Sequence, residues 1–117
     1  DMFRAFNERN HFSYAVEKIR NAISAPGENN RYAATELGLG ILLRKYEQFR
    51  RELDAAGELG NWEYDLDTYN HCIAVLQRYF TGNPSGLTER DARIYSHYLQ
   101  TEHKRFVKLA EELAAGR

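Results

Sequence analysis

The stretch YAATELGLGILLRKYEQFRRELDAA, residues 32–56, decides the fold. Apolar or small residues recur at Tyr32, Leu39, Leu42, Tyr46, Phe49, Leu53 and Ala56, in steps of seven, three, four, three, four and three. A 3.5-residue repeat places them on one stripe of one long helix. At about 25 residues such a helix is roughly 38 Å long. A helix of that length with one apolar face is not stable alone in water, so other helices must cover it. Within it, Gly38 and Gly40 interrupt an otherwise apolar run. Each costs about 1 kcal/mol relative to alanine in a helix interior. Their presence points to close approach of a neighbouring helix, or to a local bend.

The flanking sequence supplies the covering helices. Upstream, Phe12, Val16, Ile19 and Ile23 repeat at helical spacing until the breaker pair Pro26-Gly27. Asn10 is the expected N-cap of this helix, and Asn29 or Asn30 that of the central one. Residues 2–9, with Met2, Phe3 and Phe6, read as a short extra helical segment. They either extend the first helix or cross the bundle. Downstream, the turn at residues 57–60 precedes Asn61, the expected cap of a helix whose first turns carry Glu63, Asp65 and Asp67, where acids favour the dipole. Its stripe is Trp62, Leu66, Tyr69, Ile73, Leu76 and Phe80. Gly82 suits the position after its end, with Pro84 just beyond. Thr88 to Asp91 resembles a capping box. The last helix places Ala92, Tyr95, Leu99, Phe106, Leu109 and Leu113 inward, which puts Glu102 on the core stripe. Four helices with short turns pack as antiparallel neighbours. The expected fold is all-α: an up-down-up-down four-helix bundle forming a single domain over residues 1–117, excised from a longer protein.

Composition narrows the function. At 117 residues the chain fits one domain, with 43% hydrophobic residues to fill its core. The net charge of -1 gives nucleic-acid binding no global support. One cysteine, Cys72, excludes an intrachain disulfide and reads as a small packing residue. No apolar run is long enough to span a membrane.

The candidate chemical sites are sparse. Glu8 and His11 form a lone Glu-x-x-His pair, whereas a di-iron bundle needs two plus further glutamates. No zinc set accompanies His71 and Cys72. Glu102 is expected level with Tyr69, where the phenol would donate to the carboxylate. That arrangement is either a structural bond or, with a raised carboxyl pKa, an acid/base group. His103 with Lys104 superficially suggests a phosphotransfer histidine, but Arg105 and Phe106 follow in place of small residues. The eight tyrosines are expected mostly in the core or flanking it. No catalytic residue, metal or cofactor is expected.

Charge distribution separates the two ends of the bundle. Near the turns at residues 24–30 and 81–87 lie Lys18, Arg20, Arg31, Arg78, Arg90 and Arg93, against Glu28, Glu89 and Asp91. Six cations against three acids leave +3. Residues 44–67 hold four cations and seven acids, leaving -3. The basic tip carries Leu87 in its second turn. A basic tip with an apolar residue suits an anionic membrane surface. The candidate lipid-binding residues are therefore Arg20, Arg31, Arg78, Leu87, Arg90 and Arg93. The competing expectation is that the arginines pair with neighbouring acids.

With four helices, short turns and a basic tip, the layout resembles the four-helix-bundle membrane-localisation domains of bacterial toxins and type III secreted effectors. A lipid-raft-targeting domain with a short extra helix is the nearest picture. The resemblance is architectural and covers nearly the whole chain. It implies turns that contact anionic phospholipids, and a peripheral membrane location, at the host cell's membrane after secretion and otherwise in the cytoplasm. The alternative is a helical protein-interaction module. It would use the apolar residues off the stripes: Leu37, Ile41, Leu43, Tyr64, Tyr79, Ile94 and Tyr98.

Overall fold

The computed structural model describes the backbone of residues 2–116 and the side chains of residues 11–116. Helix α1 is Met2–Ser24, α2 is Glu28–Tyr32, α3 is Gly40–Ala55, α4 is Leu59–Phe80 and α5 is Glu89–Ala114. Between α2 and α3, residues Ala33–Leu39 form a π-helical segment, so one helical rod continues from Glu28 to Ala55. There is no strand among the described residues. The fold is an all-α assembly of four long helical rods.

Each rod packs against the next, and α5 returns to α1. Helices α1 and α5 run antiparallel, because Ser24 meets Arg93 while Phe12 stacks on His103. Helices α4 and α5 do the same: His71 faces Tyr95 and Trp62 faces Phe106. The core between them contains Ile19, Leu39, Leu42, Phe49, Leu66, Ile73, Leu76, Leu99 and Phe106. Tyr46 and Trp62 are half-buried at its edge.

The central rod departs from an unbroken heptad stripe. In the π segment the hydrogen bonds span five residues, as where the Gly40 N–H donates to the Thr35 carbonyl. Each residue of this wider turn advances less about the axis than in an α-helix. Ala34, Gly38 and Leu39 then all face inward, while Tyr32, expected in the core, is 67% exposed. Ala56, at the other end of the expected stripe, is also exposed, because the helix stops at Ala55. The close approach expected at the glycines is found at Gly38, whereas a Cβ on Gly40 would meet only the Thr35 carbonyl of its own rod, at 3.7 Å. A Cβ on Gly38 would stand 3.0 Å from Ile19 Cγ1 and 3.1 Å from the Ala15 carbonyl oxygen, so α1 approaches closely there.

Several boundaries differ from the expected ones. Helix α1 runs unbroken through residue 10, so Asn10 is not a cap and residues 2–9 extend α1 rather than forming a separate helix. The packing of Met2, Phe3 and Phe6, and the Glu8 side chain, lie outside the described residues. Gly27 starts α2, and Asn30 instead donates to the Ala25 carbonyl at 2.7 Å. Helix α4 starts two residues before Asn61, capped at Glu58, because half-buried Leu59 is drawn into the core. Asn61 donates to the Glu58 carboxylate, and the three acids fall beyond the first turn. At the other end of α4 the expectation holds. Gly82 takes φ +98, and the Asn83 N–H closes on the Arg78 carbonyl at 2.8 Å.

Candidate functional site

The tip is built from two turns. In the first, Gly27 N–H donates to the Ala25 carbonyl and Asn30 clasps the same carbonyl. In the second, Asn83 adopts φ +48, and its side-chain amide bonds both the N–H and the carbonyl of Leu87 at 2.9 Å. The capping box follows, with Thr88 and Asp91 exchanging two bonds of 3.1 Å. These bonds hold the Asp91 carboxyl below the usual carboxylate range, chiefly through the Thr88 N–H. Arg93 joins the two turns by donating to the Ser24 hydroxyl at 3.0 Å.

The structure treats the six candidate lipid-binding residues differently. Arg20, Arg31, Arg78 and Arg90 are exposed. Arg93 is spoken for: it also pairs with Glu89 at 2.9 Å, i to i+4 on one helix face. At this residue the expectation of pairing with a neighbouring acid is the one realised. Leu87 is half-buried, so it offers less apolar surface than an exposed leucine. Lys18 sits 5.1 Å from the Tyr14 ring centroid. Tyr32, one turn into the rod from the first tip turn, adds an exposed aromatic ring beside Arg31 that spacing placed in the core.

The buried polar group is not the expected one. Glu102 does not meet Tyr69. It lies at the α4/α5 edge, where Arg105 bridges it and Asp65 at 2.9 Å each. Arg105 also lies over the Trp62 ring, 5.8 Å from its centroid. The Tyr69 hydroxyl instead donates to the Leu42 carbonyl at 3.1 Å and lies 3.0 Å from His103 Nδ1. The hydroxyl has one proton and the carbonyl can only accept, so Nδ1 carries the hydrogen donated to the phenol oxygen. The inward row of α5 is Ala92, Ser96, Leu99, His103 and Phe106, one residue along from the expected Tyr95 and Glu102. Its steps of four, three, four and three were available in the sequence. The polarity of Ser96 and His103 concealed them.

His103 is 2% exposed and stacks on Phe12, with ring centroids 4.0 Å apart and planes 6° from parallel. Burial, reinforced by the charge of Lys45, lowers its pKa from 6.5 to about 3, so the imidazole stays neutral. Burial alone raises the Tyr69 pKa. The Tyr69 ring contacts Tyr46, Phe49 and Phe106 at centroid distances of 6.0 to 6.2 Å. Cys72, buried as expected, has its thiol pushed up to about 11, first by burial and then by the Glu102 charge. A phenol and an imidazole that neither ionise nor reach solvent act here as structural glue. Of the eight tyrosines only Tyr69 is fully buried, while Tyr14, Tyr32, Tyr64 and Tyr98 are exposed. The phenol hydroxyl tolerates water, so an aromatic pattern overstates burial.

Among the described residues no three His, Cys, Asp or Glu side chains gather as metal ligands. No helix among them is long and apolar enough to cross a membrane. An apolar gap of about 10 Å³ lies under Leu109 and Leu113, too small for a ligand. A larger open groove of about 480 Å³ runs between α1 and α5, over Phe12 and Val16 and between Arg20 and Lys104. In comparisons with protein-family models, curated proteins and solved structures, nothing matches this chain.

Proposed function

We propose that this chain is a non-enzymatic targeting module that docks on anionic phospholipid surfaces through the tip at residues 24–30 and 81–87. One observation carries the reading: Arg20, Arg31, Arg78 and Arg90 stand exposed around two hydrogen-bonded turns, with the Tyr32 ring beside them. Each basic side chain near an anionic leaflet contributes about 1 kcal/mol, falling off within a Debye length. Four give useful, salt-sensitive binding. Tyrosine suits the headgroup layer because its ring is apolar and its hydroxyl is wet. The module is then a peripheral membrane protein, at a host membrane if it belongs to a secreted effector or toxin.

A second reading rests on a different observation. Leu37, Tyr64, Ile94 and Tyr98 are exposed, Tyr64 by 82%. Ile41, Leu43 and Tyr79 are half-buried against the core and drop out of it. The four exposed side chains suit a helical protein-interaction module. Vesicle flotation separates the two. Under the membrane reading the protein floats with phosphatidylserine-containing vesicles, not with pure phosphatidylcholine. It is released by salt and weakened by Arg31→Glu. Failure to float with anionic vesicles at low salt sinks that reading and favours the second.

A further inference from the structure

The outer face of α5 repeats the character of the tip over a longer surface. The core row of α5 is Ala92, Ser96, Leu99, His103 and Phe106. On the opposite side, two neighbouring rows advance in steps of seven: Arg90, His97 and Lys104, then Ile94, Thr101 and Lys108. All six side chains are exposed. The first row borders the α1/α5 groove, which has Arg20 at one end and Lys104 at the other. Ser24 meets Arg93 and Phe12 stacks on His103, which fixes the register of the two helices. By that register the two cations stand roughly 11 Å apart along the axis. Over this face, among the described residues, Arg20, Arg90, Lys104 and Lys108 stand against Glu17, Glu111 and Glu112, with Asp91 at its edge, since Arg93 and Glu89 neutralise each other. Beside the cations, Ile94 is 42% and Tyr98 55% exposed.

A helix with cations along one edge of its outer face and aliphatic and aromatic side chains along the other matches a charged interface with a shallow apolar layer beneath. We infer that the outer face of α5, together with the α1/α5 groove, lies along the anionic phospholipid surface in continuity with the tip, so that the domain leans onto this helix as well as onto its two turns. This inference rests on the membrane reading above and extends it from two turns to a helix. Phosphate groups occupy the neighbourhood of Arg20 and Lys104, and Ile94 and Tyr98 enter the headgroup layer.

The test uses the whole chain with vesicles of phosphatidylcholine and phosphatidylserine in equal parts. Three charge reversals, Lys104→Glu, Lys108→Glu and Arg78→Glu, are compared by flotation, after circular dichroism shows that each variant folds. An environment-sensitive dye is placed in turn at Thr101→Cys, on the outer face of α5, and at Asp67→Cys, an exposed position on α4. The expected result is a loss of partitioning of roughly fivefold or more for each of the two α5 variants, with a blue shift of the dye at position 101 and none at 67. If the wild type floats but only Arg78→Glu weakens it and the dye at 101 does not shift, the extension along α5 is overturned and docking through the tip alone stands. If the wild type does not float, the membrane reading falls and this inference with it. Binding to polyglutamate but not to vesicles likewise overturns it, assigning the face to an acidic protein.

Discussion

Lowering the pH from about 7.5 to about 5 should cost this fold about 2 kcal/mol through one residue, His103. In the folded state burial holds its pKa at about 3, against 6.5 for the free side chain. Between those values the unfolded chain binds a proton that the folded chain does not. Stability from this group is therefore complete above about pH 6.5 and is lost as pH falls towards 3, at up to about 1.4 kcal/mol per unit. The other described histidines, His11, His71 and His97, are exposed. Asp91, whose carboxyl is held low by the Thr88 N–H, acts only below the usual carboxylate range. The assay is urea unfolding by circular dichroism at both pH values, for the wild type and His103→Phe. Phenylalanine keeps the ring stacked on Phe12 but cannot take a proton. The variant starts from a lower absolute stability, because overpacking and the lost bond to Tyr69 each carry a cost; the quantity that matters is its change with pH. The wild type should lose about 2 kcal/mol and the variant much less. Equal losses in the two proteins, or a wild type indifferent to pH in this range, would refute the buried neutral imidazole.

Four further variants probe packing and capping. Tyr69→Phe leaves the His103 N–H without its acceptor in a dry core and should cost about 1–3 kcal/mol in the same assay. Gly38→Ala should destabilise despite the better helix propensity of alanine, since its Cβ would press on the Ala15 carbonyl, which is fixed in α1. Gly60→Ala, in α4 with open space around it, should instead stabilise by up to about 1 kcal/mol. A pair of thermal melts decides between these signs. Thr88→Ala removes the cap of α5 and should lower stability by about 0.5–2 kcal/mol at neutral pH.

Much of the fold was legible because long amphipathic helices announce themselves by period. The stripe from Leu66 to Phe80, the stop at Pro26-Gly27, the φ-positive Gly82 and the Thr88 capping box are all local consequences of local sequence. The failures have physical causes too. Tyr32 lies outside the core because hydrogen bonding changes from four to five residues between Ala33 and Leu39. Heptad counting assumes a constant turn and cannot register that change. On α5, Glu102 and His103 are adjacent, and a one-residue choice of row exchanges a buried carboxylate for a buried imidazole. Hydrophobicity alone misled that choice. Only the tertiary bond to the Tyr69 hydroxyl, which gives its own proton to the Leu42 carbonyl, makes the imidazole acceptable in the core. At the tip, sequence could place six candidate residues near two turns. It could not show that Arg93 would be held by Glu89 and Ser24 or that Asn83 would pin Leu87 half-buried.

The membrane reading is tested most directly by titrating vesicles of mixed phosphatidylcholine and phosphatidylserine into the wild type and into one variant, Arg31→Ser with Arg78→Ser and Arg90→Ser, at low salt. These three side chains are exposed, so the variant should keep its helical content and melting transition. At about 1 kcal/mol for each cation near the surface, its partition coefficient should fall by roughly a hundredfold. Unchanged partitioning of the folded variant, or wild-type binding that is equally strong on vesicles of phosphatidylcholine alone, would contradict docking through the basic tip.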